Sequence, residues 1–126
     1  MLAEFRDYLK TLIDADHYSI GKIDDSKDKS IGVYGDGYQR RVEAIGRCKS
    51  YDSAGVRILV HWNKNMRETE EVARSLYENL RYITDADMGG IKVKYVDLQY
   101  GEPVVLGTDG NGVFEYVISC VIYYER

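Results

Sequence analysis

Residues 107–115 read GTDGNGVFE, a run of glycines and oxygen-bearing side chains that could wrap a calcium ion. An EF-hand loop takes oxygen ligands from positions 1, 3 and 5, a turn glycine at 6 and a bidentate glutamate at 12. With Asp109 at position 3, Asn111 falls at 5 and Gly112 at 6, but position 1 is Gly107 and position 12 is Ile118, and neither has a side-chain oxygen. The residues that follow, VFEYVISCVIYY at 113–124, are β-branched and aromatic, which is strand composition and not an exiting helix. Asp-Gly and Asn-Gly are turn dipeptides because both tolerate positive φ. The stretch is expected to be a turn that feeds the longest strand of the chain, without a metal.

The other candidates for chemistry are the two histidines. His17 stands beside Asp14 and Asp16, a spacing that could set a general base against an orienting carboxylate; His61 precedes Trp62 in an apolar run. A small hydrolase using His17 or His61 is thus a remote reading, because pattern alone does not supply the geometry that catalysis needs. There is no paired-histidine metal motif, no CxxC, no GxSxG elbow and no phosphate-binding glycine loop. Asp24, Asp25 and Asp28 could gather a divalent cation, but Lys22, Lys27 and Lys29 are interleaved with them and would repel it. No catalytic residue, cofactor or metal is expected.

What remains is charge. Residues 24–29 carry five charges in six positions and must stay solvated unless a partner meets them. Arg40, Arg41, Arg47, Lys49 and Arg57 outnumber Glu43 and Asp52, which makes this the most basic part of the chain. Such a group can face nucleic-acid phosphates, an acidic patch of another protein, a second copy of the chain, or water alone. Asp24, Asp25, Lys27, Asp28, Lys29, Arg40, Arg41, Arg47 and Lys49 are therefore the candidate interface residues.

The elements that would carry these loops fit one α+β domain of 126 residues, a length that can bury a core without a disulfide or metal. Cys120 lies in an apolar strand and reads as a core residue; Cys48 lies in the basic stretch; nothing pairs them, so a reducing site of synthesis is the default. The first thirteen residues have charges every few positions, so no signal peptide is expected, and no apolar run approaches membrane-spanning length. The net charge of −4 argues against a general affinity for nucleic acid. Twelve tyrosines against two phenylalanines suit strands, and suit surfaces that meet other proteins.

Leu2, Phe5, Leu9, Leu12 and Ile13 recur at spacings of three and four and predict a first helix. Short strands are expected over 18–23 and 31–34, a weak one near 42–45, and a clear one over 56–62 with Val56, Ile58, Val60 and Trp62 on one face. Asn65 is a good N-cap and Glu68 completes a capping-box pattern for a second helix, with Thr69, Val72, Ala73, Leu76, Leu80 and Ile83 as its core face. The apolar phase of 91–100 shifts near Tyr95 and Val96, as a β-bulge would cause. Pro103 excludes a central strand position, and the last strand spans 113–124, with Tyr116, Ile118, Cys120 and Ile122 facing the helices. After the second helix, then, two strands are expected, paired as an antiparallel hairpin. The whole is a mostly antiparallel or mixed sheet with two helices on one face and charged loops near 24–30 and 35–55.

Three stretches carry a resemblance: YSIGKIDDSKDKSIGVY at 18–34, LVHWNKNMRETEEVARSLYENLR at 59–81 and GTDGNGVFEYVISCVIYYER at 107–126. In order and spacing they resemble the bacteriophage minor capsid protein family, whose members look like tail terminators or tail-completion proteins of long-tailed phages. The resemblance implies a structural virion protein with no enzyme activity and no cofactor. Such a protein is built in the cytoplasm of the host bacterium and ends in the tail or neck of the virion. It further implies a six-fold ring that caps the head-proximal end of the tail tube. The partners would be the major tail tube protein and the head–tail connector, with genomic DNA passing through the lumen without specific binding. A head–tail adaptor or a tube subunit would share the broad architecture.

Overall fold

The computed structural model describes residues 2–21, 27–36 and 51–125. Their elements are α1 (Leu2–Leu9), β1 (His17–Ile20), β2 (Ser30–Asp36), β3 (Tyr51–His61), α2 (Met66–Arg81), β4 (Thr84–Met88), β5 (Ile91–Leu98), β6 (Val104–Thr108) and β7 (Phe114–Glu125). The strands form one curled, mixed sheet in the order β1-β2-β3-β7-β5-β4, with β6 also paired to β7. Only β1 and β2 run parallel; the other pairings are antiparallel. The weak strand expected near 42–45 lies outside the described residues.

The period-two pattern sets the inner face. Val56, Ile58 and Val60 of β3 stand opposite Cys120, Ile118 and Tyr116 of β7, and Val33 and Ile31 of β2 continue the rows. All are buried, as are Phe5 and Leu9 of α1 and Ala73, Leu76 and Leu80 of α2, so the core lies between the two helices and one face of the sheet. Burying one such Leu or Ile contributes about 1.5–3 kcal/mol, which explains why two helices with polar outer faces remain docked. α1 touches β1 and β2 and also β4 at the other side of the sheet, so the curl of the sheet brings both margins to this one short helix.

α2 starts as its sequence predicts: the Asn65 side chain accepts from the Glu68 N–H at 3.2 Å. The reciprocal half of a capping box does not form, because Asn63 Oδ1 takes the Asn65 N–H at 2.9 Å. The core face of α2 is Thr69, Ala73, Leu76 and Leu80, with Val72 half-buried beside them and Ile83 buried just beyond the helix.

Four strands follow α2, not two. β4 was not legible because TDADM is short and offers only Ala86 and Met88 as apolar residues; it forms because Gly89 and Gly90, both at positive φ, close a two-residue hairpin that lays it against β5, with Met88 in the core. β6 lies directly after Pro103 as an edge strand, where the missing N–H costs no ladder bond, and it makes the hairpin with β7. β5 pairs with the other half of β7, and its register shift falls between Val93 and Tyr95, one step earlier than the apolar phase suggests. The extra residue turns Tyr95 outward, where its ring stacks on Tyr123 at 4.7 Å. β3 begins at Tyr51, so the charged loop expected over 35–55 gives up its last residues to the sheet. Ser53, Ala54 and Gly55 have low strand propensity; their pairing with Tyr123, Ile122 and Val121 carries them.

Candidate functional site

The sheet face turned away from the helices holds the most unusual group of the molecule. Alternation along β3 places His61 on that face, opposite Glu115 of β7. The imidazole has no solvent exposure, and its Nδ1 lies 3.0 Å from Glu115 Oε2. Within the stretch 107–115, residues 109–113 form the expected turn, between the last residues of β6 and the first of β7. Asp109 Oδ1 accepts from the N–H groups of Asn111 at 2.8 Å and Val113 at 3.0 Å, and the Asp109 and Gly112 N–H groups close it through backbone bonds. The other carboxylate oxygen, Oδ2, is buried and faces His61 Nε2 at 3.7 Å, too long for a hydrogen bond, and neither atom has a hydrogen-bond partner among the described residues.

His61 therefore sits between two carboxylates, both contributed by the β6–β7 hairpin. A ring protonated at both nitrogens offers a donor to each; a neutral ring offers one. Backbone N–H bonds, that of Val113 first, hold the Asp109 carboxyl below the usual carboxylate range against the opposing effect of desolvation. Further backbone bonds tie the strand ends together: Trp62 N–H to Phe114 C=O at 3.3 Å and Phe114 N–H to Asn63 C=O at 2.9 Å. The imidazole is sealed, and among the described residues no hydroxyl or thiol is hydrogen-bonded to it. The group is built as a clasp between β3 and the hairpin turn.

His17, by contrast, is exposed at the start of β1, and no hydrogen bond or ion pair joins its side chain to Asp14 or Asp16. The carboxylate partners that sequence spacing suggested are thus at the wrong histidine. The real pairing joins residues 54 positions apart in the chain, and only the β3–β7 register brings them together.

Of the candidate interface residues, Lys27, Asp28 and Lys29 are described; Lys27 and Asp28 are exposed. Lys29 is anchored through its backbone: its N–H donates to Trp62 C=O at 2.6 Å, and its carbonyl accepts from Asp16 and His17. Ser30 Oγ donates to the Lys27 carbonyl at 3.0 Å. Asp24, Asp25, Arg40, Arg41, Arg47 and Lys49 lie outside the described residues, as does Cys48. Among the described residues no three His, Cys, Asp or Glu side chains are placed to hold a metal ion.

A surface that charge counting overlooked lies where α2 meets the β5–β6 connection. Met66, Tyr100 and Val105 are each about half exposed there, and Leu106, next along β6, is equally exposed. Tyr77 Oη donates to the Tyr100 carbonyl at 2.6 Å, and Arg74 bridges Glu70 at 3.0 Å and Glu102 at 3.5 Å, so the rim is fixed in place. Residues this apolar on the outside of a strand usually meet something.

Residues 6–126 match the family model described as bacteriophage tail terminator protein. The chain belongs to the bacteriophage tail terminator family. No curated protein is similar enough to match it. Membership supports a structural role in the phage tail. No helix among the described residues is long and apolar enough to cross a membrane.

Proposed function

We propose that this protein caps the head-proximal end of the phage tail tube as a ring of six copies and mediates the joining of tail to head. The observation that carries the reading is the match to the terminator family over residues 6–126. Its partners are further copies of itself, the major tail tube protein and the head–tail connector. Genomic DNA passes through the lumen without specific binding, a role suited to a chain of net charge −4, since net attraction to phosphate would impede a sliding genome. Asp24, Asp25, Lys27, Asp28, Lys29, Arg40, Arg41, Arg47 and Lys49 serve as contacts with neighbours. Charged stretches of this kind can supply the unlike patches that a ring requires.

The test is tail assembly in a phage lacking the gene. Intact heads, with tails that are unsealed, of abnormal length or unable to join heads, are expected. Tails of normal length that still join heads would dismiss the reading; tubes that fail to polymerise at all would point to a tube subunit instead. Charge reversal at both Arg40 and Arg41 should reproduce part of the joining defect while the isolated chain keeps its melting temperature.

A further inference from the structure

We propose that copies of this chain join head to tail by pairing the outer edge of β6 on one copy with the outer edge of β1 on the next. The inference rests on the ring reading above and adds a backbone contact between copies to the charged contacts named there.

The first argument is register. Tyr18 of β1 stands opposite Ile31, Ile31 opposite Val60, Val60 opposite Tyr116 and Tyr116 opposite Val105 of β6. The next row runs Ser19, Gly32, Leu59, Val117, Val104. β1 and β6 therefore lie at one height on opposite margins of the run β1-β2-β3-β7-β6, and each is short, four and five residues. Moving along the sheet by one subunit brings one edge to the other without a shift in register.

The second argument is direction. β1 is parallel to β2, and each later step in the run is antiparallel, so β6 runs opposite to β1. A neighbour rotated about an axis along the strands presents its β1 antiparallel to β6, the slightly more stable ladder.

The third argument is which edges are guarded. An exposed edge strand offers unpaired N–H and C=O groups, and monomers block such edges with charges and irregular backbone. β4 is blocked in this way: Asp85 and Asp87 are exposed along it, and Asp85 sits at φ 51°. Among the described residues the β1 and β6 edges carry no such pair of acids, although both strands are short and β6 follows Pro103 and holds a bulge. β6 carries Val105 at 50% and Leu106 at 55% exposure, with Tyr100 beside them, and β1 carries Ile20 at 40%. Among the described residues no strand pairs with the outer side of either. The bulge at Leu106 limits the ladder to its first residues, so the apolar side chains must supply much of the contact. Two unlike edges on one chain give a heterologous contact, the kind that closes into rings.

Sedimentation of the purified chain over a concentration series should show self-association. Val105→Lys and Ile20→Lys, each at an exposed position and each checked by circular dichroism and melting temperature, should be monomeric alone. Mixed in equal amounts they should form dimers and nothing larger, because each retains one good edge. Asp85→Lys should associate like the wild type. A wild-type chain that stays monomeric throughout, a Val105→Lys chain that associates normally, or a mixture that yields no dimer would overturn the edge pairing. None of these results would alter the tail defect expected from deleting the gene, so failure here and failure of the terminator reading are distinguishable.

Discussion

His61 Nδ1 lies 3.0 Å from Glu115 Oε2 on the sheet face opposite the helices, and the ring is completely buried. A buried polar group that loses its partner bears its full desolvation penalty. Glu115→Ala should therefore lower stability by about 1–3 kcal/mol in urea unfolding. A change within experimental error would mean the pair does not hold the hairpin. Exchange of the amide protons of Asn111 and Val113 should also accelerate, since the clasp fixes the turn that binds them.

Asp109 gives the protein an acid-sensitive turn. Its carboxyl is held below the usual range chiefly by the Val113 N–H, then by the Asn111 N–H and His61. A depressed folded-state value means the carboxylate stabilises the fold above the ordinary Asp range, and this contribution is lost as pH falls through the lower folded value. Asp109→Asn keeps an oxygen acceptor for the turn but no longer titrates. Its melting temperature should fall less steeply than that of the wild type as pH drops below the ordinary Asp range, and identical slopes would remove Asp109 from the account.

Ile118 is 2% exposed in the centre of β7, opposite Ile58. Ile118→Ala should cost about 2–5 kcal/mol, read from denaturant unfolding. Leu106→Ala, on the outside of β6, should change the stability of the monomer by no more than about 0.5 kcal/mol. Equal effects at the two positions would contradict the assigned faces.

Burial pushes the Cys120 thiol up to about 12, with Asp97 adding to the shift. In a Cys48→Ser background the native protein should resist iodoacetamide at pH 8 and react promptly in urea. Rapid labelling of the native chain would show that β7 opens far more readily than its position between two neighbouring strands suggests.

Local sequence determined much of this protein because local physics decides those parts. Asn65 followed by Glu68 places a helix start wherever the helix docks, and the alternation of Val56, Ile58 and Val60 with Arg57 and Leu59 needs only one buried face. The same alternation put Tyr116, Ile118, Cys120 and Ile122 in the core. The Asp-Gly and Asn-Gly pairs after Thr108 marked a turn, and the Asp109 hydrogen bonds form it over residues 109–113.

Tertiary structure decided the rest, since it depends on partners distant in the chain. β4 has only Ala86 and Met88 as an apolar pattern, too short to mark a strand, and it forms because a glycine hairpin lays it on β5. Nothing near His61 in sequence marks it as a clasp; Glu115 and Asp109 reach it only through the β3–β7 register. The common height of β1 and β6 is the sum of four strand pairings, each set by packing on a shared core, and no single segment contains it.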